Sequence, residues 1–243
     1  MPIERLVVVA DAHLGAVPAA IEDALLRFLD AVPTLGDGLL CNGDLFGFWF
    51  SYRRAIPRAG VRVLARLAAL ARRLPVLMTG GNHDRWGAAF WEAELGVRFS
   101  TGELEFPLGN GRVLALHGDG LAEPTRRLAL KHKMVSHPIT SAVFRALPAD
   151  LGFWLAGRMG GGIERSERAL RLEAAAAALQ ERWAEQRLRE ASDDTLLVMG
   201  HTHRAATREP APRRRYLNPG AWLDGYRYAI ATDSSVTLTQ YPG

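Results

Sequence analysis

The stretch LPVLMTGGNHDRW, Leu74 to Trp86, sets an apolar run against Asn82, His83 and Asp84 across a pair of glycines. The run is too short for a helix and has the length of a buried strand. In open α/β sheets the sites sit where strands end. Gly80 and Gly81 let the backbone turn tightly beneath whatever the three polar side chains hold. With only seven histidines in the chain, what the other apolar runs end in becomes decisive.

They end in the same way. RLVVVADAHLG (5–15) closes on Asp11 and His13, and GLLCNGDLFGFWF (38–50) reaches Asp44. RVLALHGDG (112–120) ends in His117 and Asp119, and DTLLVMGHTHR (194–204) in His201 and His203. Any one of these side chains could be a loop cap or a surface pair. Five strand ends that all present metal-type ligands are poorly explained that way.

Between the runs lie helical segments. PAAIEDALLRFLDAV (18–32) and GVRVLARLAALARRL (60–74) carry apolar residues at helical spacing, among them Leu25, Phe28, Leu64 and Leu67. Strand, helix, strand in this order predicts parallel pairing. Residues 96–118 and 215–243 instead hold short β-rich runs split by Gly, Asn and Pro, which suits hairpins in mixed sheets. Two packed sheets in one domain over 1–243 are expected. The rhythm breaks over 121–194, which reads as a helical insertion: TRRLALKHK, then ITSAVFRALPADLGFWLAGRM, then an alanine-rich helix of over twenty residues. The run Gly160–Gly162 reads as a hinge or helix stop.

The 243 residues, 48% hydrophobic and 23% charged, suit a single globular α/β domain with a substantial core. A formal charge of +4 favours anionic partners. One cysteine, Cys41, excludes an intrachain disulfide. The amino-terminal apolar run is too short for a signal h-region or a membrane span. The expected location is the cytoplasm, with peripheral membrane contact open.

A two-metal hydrolase needs a carboxylate that bridges both ions, further ligands for each, and a shared water made acidic near neutral pH, with the ions about 3.5–4 Å apart. Asp11, His13, Asp44, Asn82, His117, His201 and His203 supply that inventory. A nitrogen and oxygen set without thiolate suits manganese, iron, zinc or magnesium, with manganese the first choice.

The motifs DAHLG, GDLF, GGNHD, LHGD and GHTH, in this order from about Leu6 to Pro219, resemble the calcineurin-like metallophosphoesterases. The resemblance implies an α/β/β/α two-sheet sandwich with a helical insertion, or lid, and two divalent metal ions. It places Asp11, His13, Asp44 and His203 on one ion and Asp44, Asn82, His117 and His201 on the other. It implies that His83 stabilises the transition state or protonates the leaving oxygen, with Asp84 orienting the imidazole. Asp119 reads as a loop-capping residue or a support to the ligands.

Within that superfamily, the spacing around GDLFGFWF, the long insertion after LHGD and the short GHTHRAATREP segment are similar to the UDP-2,3-diacylglucosamine diphosphatases of the lipid A pathway. This implies hydrolysis to UMP and 2,3-diacylglucosamine 1-phosphate, an acylated nucleotide sugar as the anionic phosphate-ester substrate. His83 departs from the enterobacterial form, which has arginine there. Val143, Phe144, Leu147, Leu151, Trp154 and Leu155 fall at helical spacing and suit a lid over acyl chains or an apolar face toward a membrane. Pro148 interrupts that helix. Phe48, Trp49 and Phe50 are expected to form the opposite wall. Arg126, Arg127, Lys131 and Lys133 are candidates for diphosphate or headgroup contact. The alternative is a broader phosphomonoesterase or phosphodiesterase acting on nucleotides or nucleic acid, and an apolar lid that narrows access for polymers disfavours nucleic acid.

Overall fold

The computed structural model describes residues 2–121, 123–159 and 166–243. Two sheets stack face to face. The first holds β1 (Leu6–Val9), β2 (Gly38–Asn42), β3 (Val76–Thr79), β4 (Arg98–Ser100), β10 (Arg227–Ala231) and β11 (Val236–Gln240), in the order β11-β10-β1-β2-β3-β4. Strands β1 to β4 run parallel, as the strand–helix–strand order predicts, and β10 and β11 extend the sheet antiparallel. The second sheet is mixed. It comprises β5 (Leu104–Leu108), β6 (Gly111–Ala115), β7 (Thr195–Val198), β8 (Ala206–Ala211) and β9 (Arg214–Asn218), in the order β5-β6-β7-β9-β8.

Strands β1, β2, β3 and β7 are buried on both faces, which explains their near-continuous apolar runs. Leu6, Val8, Leu40 and Leu77 meet Phe106, Val113, Val198 and Leu217 between the sheets. The other face of the first sheet, with Val7, Val9, Cys41 and Met78, is covered by α1 (Ala19–Leu35), α2 (Val61–Ala71) and α3 (Ala88–Leu95). Helix α2 buries Val63, Leu64, Leu67 and Leu70 there, each worth about 1.5–3 kcal/mol over leaving it in water. On the opposite side, Ala184 and Leu188 of α7 (Glu167–Arg189) pack on Leu197, Met199 and Tyr216. The layers are therefore helix, sheet, sheet, helix.

Between β6 and β7 the described residues form four helices: α4 (Arg126–Val135), α5 (Pro138–Ala146), α6 (Ala149–Met159) and α7. Thr125 Oγ1 caps α4 by accepting from Leu128 N, and Ser166 Oγ caps α7 by accepting from Ala169 N. Pro138 opens α5 at a position where its missing N–H costs nothing. Ahead of Pro148, Leu147 turns extended and separates α5 from α6. The glycine run Gly160–Gly162, read as a hinge, lies outside the described residues.

The single apolar stripe expected over α5 and α6 is split by that break. Phe144 points inward, whereas Val143, Leu151 and Trp154 are exposed. The expected wall of Phe48, Trp49 and Phe50 is also corrected: Phe48 and Phe50 line a cavity, but Trp49 is fully buried against Phe46, Phe90 and Trp91. The indole of Trp49 packs with these three rings, so the middle residue of the three enters the core.

Candidate metal centre

The ends of β1, β2, β3, β6 and β7 converge, and they bring Asp11, His13, Asp44, Asn82, His117, His201 and His203 to one edge of the sandwich. The backbone there is unusual. Asp11, His13, Asp44, His201 and His203 all have positive φ, between 48° and 68°, and they are five of the eight such non-glycine residues among those described. Each such conformation is unfavourable for a side-chain-bearing residue, and clusters of them mark functional sites.

Hydrogen bonds decide which atoms face the centre. Asp11 Oδ2 accepts from His201 N at 3.1 Å, which leaves Oδ1 directed inward. Asp44 Oδ1 accepts from His83 N at 2.9 Å, which leaves Oδ2. That one oxygen lies 3.8 Å from His13 Nε2 and 3.3 Å from His117 Nε2, the placement of a bridging carboxylate. His117 Nδ1 donates to the Asn42 carbonyl at 3.0 Å. A carbonyl only accepts, so Nδ1 carries a proton and Nε2 is the ring nitrogen turned inward.

Two groups of donors result, Asp11, His13 and His203 on one side and Asp44, His117 and His201 on the other, and His13, Asp44 and His83 make a third that overlaps both. His203 Nε2 is 3.5 Å from Asp11 Oδ1 and 3.3 Å from His13 Nε2. Asp11 Oδ1, Asn82 Oδ1 and His117 Nε2 are buried without a hydrogen-bond partner. Such atoms are costly to leave unpaired. Cations between the donors would satisfy all three, so the residues fit a two-ion site.

The charged groups of the cluster shift one another strongly. Burial pushes the Asp44 carboxyl up, but His117 and His83 outweigh it and hold it well below the usual range. Burial likewise opposes a charge on His117, yet the Asp44 and Asp11 carboxylates draw a proton onto it and raise it well above its ordinary value. Burial lowers His13 to about 4, so that imidazole is neutral and ready to ligate.

His83 stands at the edge of the cluster with Nε2 3.9 Å from Asp44 Oδ2. Its Nδ1 bonds the Gly47 carbonyl at 2.8 Å, so the ring is oriented by backbone rather than by a carboxylate. This corrects the expected role of Asp84. Its oxygens accept from the backbone N–H groups of Gly81 at 2.8 Å, Leu45 at 2.7 Å, and Asp44 and Phe46 at 3.3 Å. Burial and the nearby Asp44 push Asp84 up to about 7, against the pull of those donors. Asp84 therefore ties the turn after β3 to the turn after β2. Two glycines permit the approach: a Cβ on Gly81 would lie 2.1 Å from Asp44 Oδ1, and one on Gly43, at φ +83°, 2.2 Å from His117 Nδ1.

Asp119 pairs with Arg85 Nη2 at 2.9 Å and faces His132 Nδ1 at 3.7 Å. It supports its neighbours and lies outside the two donor groups. Sequence reasoning missed Glu123 and His132, which form a further donor group with His201. No fixed spacing relates them to a strand end. Of the basic candidates, Arg126, Arg127 and Lys133 are exposed on α4, and the side chain of Lys131 lies outside the described residues.

A sandwich of two mixed sheets with a histidine- and aspartate-lined cluster at its strand ends defines a metal-dependent phosphoester hydrolase. The chain belongs to the calcineurin-like phosphoesterase family, which it matches over residues 4–217. It is 30% identical over 199 residues to a UDP-2,3-diacylglucosamine hydrolase of Bordetella parapertussis, covering 81% of this chain and 76% of the relative. A UDP-2,3-diacylglucosamine hydrolase of Sodalis glossinidius is 29% identical over 236 residues, 96% of each chain. Among solved structures, the phosphoesterase Yfce from E. coli aligns over 97% of this chain and 98% of its own, with a TM-score of 0.47 and 14% identity.

Proposed function

We propose that this chain hydrolyses the diphosphate of UDP-2,3-diacylglucosamine, releasing UMP and 2,3-diacylglucosamine 1-phosphate, with two Mn²⁺ ions. The observation that carries this reading is an apolar cavity that begins at the metal cluster. Asn82 and His83 of the cluster line it together with Phe48, Phe50, Trp86, Leu128, Val135 and Phe144. The ring of Phe144 is 6.1 Å from Phe48 and 5.7 Å from Phe50, so α5 closes over the aromatic loop that follows Asp44. A polar nucleotide needs no such wall, whereas acyl chains attached to a nucleotide sugar do. The same substrate stands in the names of the curated relatives.

The ions, when bound, supply charge neutralisation at phosphorus and a water acidic enough to attack it. The residues do the rest. Asp44 presents one oxygen to both donor groups because His83 N–H occupies the other. With Nδ1 held by Gly47, His83 keeps Nε2 as its proton-exchanging atom between Asp44 and the cavity, where the departing phosphate oxygen would need a proton. Phe144→Asp tests the cavity. A charged group there should lower kcat/KM for the acylated substrate at least about tenfold, with bis-p-nitrophenyl phosphate hydrolysis unchanged. Equal losses on both substrates would remove the cavity from substrate recognition.

The outer side of α4 to α6 supports a peripheral membrane contact on the cytoplasmic face. Leu130, Met134, Ile139, Val143, Leu151 and Trp154 are between 43% and 65% exposed, and Arg126, Arg127, Lys133, Arg145 and Arg158 lie exposed among them. No helix among the described residues is long and apolar enough to cross a membrane. An apolar face rimmed by cations suits an anionic lipid surface, at about 1 kcal/mol for each Lys or Arg near it. The chain should co-sediment with phosphatidylglycerol vesicles and less with phosphatidylcholine, and Trp154→Asp should weaken this. Equal sedimentation of wild type and variant would place the contact elsewhere.

A further inference from the structure

Helix α4 sends one side chain to the metal cluster that the two-ion reading leaves unused. His132 Nε2 lies 3.2 Å from Glu123 Oε1, and that same oxygen lies 3.6 Å from His201 Nε2. On its other side, His132 Nδ1 faces Asp119 Oδ2, which is paired with Arg85. Arg85 Nη1 also donates to Ser136 Oγ, at the carboxy-terminal cap of α4. The side chains are mostly withdrawn from water, with Glu123 7%, Asp119 5% and His132 14% exposed. The series Arg85, Asp119, His132, Glu123, His201 alternates cations or imidazoles with carboxylates, so every neighbour in it is attractive.

A histidine that binds a metal through one ring nitrogen commonly donates the other N–H to a carboxylate, which fixes its tautomer and raises its basicity as a ligand. Glu123 stands where it would do this for His201. With Nε2–H turned to Glu123, Nδ1 is the nitrogen left to bind an ion. The same oxygen lies 3.2 Å from His132 Nε2, and the helix of His132 also contributes Leu128 and Val135 to the apolar cavity. We infer that Glu123 is a positioning residue for the ligand His201, and that through His132 it couples the grip on the second ion to the seating of α4 against the cavity. The inference rests on the two-ion reading. By reciprocity, whatever steadies α4 tightens the ion, and the ion steadies α4.

The same three donors could instead hold an ion of their own. That use is disfavoured, because His201 would then serve two ions and a neutral imidazole has only one nitrogen free of a proton.

The test is calorimetric titration of the metal-free full chain with Mn²⁺, joined to amide exchange of α4 before and after loading. Wild type should bind two ions and slow its exchange in α4. Glu123→Gln should still bind two ions at saturation, with the second weakened about 10- to 100-fold and the protection of α4 on loading lost. Glu123→Asp, which keeps the carboxylate, should recover part of both. If Glu123→Gln does not fold, His132→Gln reads the same coupling through loss of α4 protection. Unchanged affinity and protection in the variants would overturn the inference and leave the two-ion reading standing. Three ions on wild type and two on Glu123→Gln would overturn it by making Glu123 a ligand. No ion bound by wild type would overturn both.

Discussion

Asp44→Asn should lower turnover at least about a thousandfold, since a Lewis-acid contribution of several kcal/mol is lost, and the purified variant should retain less than the wild-type complement of metal. Asparagine is the informative replacement. Asp44 has φ +49°, a conformation asparagine tolerates and alanine does not. The amide oxygen can also keep the bond from His83 N. What it cannot supply is the second anionic oxygen, which now lies 3.8 Å from His13 Nε2 and 3.3 Å from His117 Nε2. Removing it separates the two donor groups and leaves His117, buried and drawn toward protonation by Asp44, without its strongest partner. Metal analysis alongside kinetics checks this. Full turnover with full metal content would contradict a bridging role.

His83→Ala should behave differently. Its turnover should fall about 10²- to 10⁴-fold, the range for a lost general acid, while both ions stay bound. The reason is local. The hydrogen bond between residue 83 and Asp44 runs through the backbone N–H, which alanine retains, whereas the ring is held by Gly47, lies 3.9 Å from Asp44 Oδ2 and lines the cavity. A substrate with a better leaving group should lose less, because it needs the proton less. Loss of metal in this variant would contradict the separation of roles, and a uniform loss across leaving groups would contradict proton donation.

Much of the site was legible because its residues sit at fixed short distances after apolar runs. A strand ends, the chain turns, and the next polar residue faces the edge; Asp11, Asp44, Asn82, His117 and His201 all follow that rule. The two-sheet arrangement was legible for the same reason, since helix-separated runs pair in parallel and glycine-split runs pair as hairpins. Contacts between distant segments were not. Asp84 follows the ligands in sequence and looks like a partner for His83, but its carboxylate is held by backbone N–H groups about forty residues away, on the turn after β2. Trp49 sits between Phe48 and Phe50 in sequence, and only its packing against Phe46, Phe90 and Trp91 sets it apart in the core. Helix α3 carries no clear apolar stripe and went unread. Glu123 and His132 lie on a loop and a helix with no periodic relation to a ligand, and they meet His201 only because α4 folds back over the end of β7.

The most direct test of the whole account is the kcat/KM of the manganese-loaded chain for UDP-2,3-diacylglucosamine in detergent, measured beside UDP-N-acetylglucosamine and bis-p-nitrophenyl phosphate. A buried methylene is worth about 0.8 kcal/mol, so a few of them in the cavity should give a preference of about a hundredfold or more for the acylated nucleotide sugar. That preference is the predicted result. Comparable or better turnover of the unacylated compounds would leave a calcineurin-like phosphoesterase of broader specificity and contradict the assignment of the cavity to acyl chains.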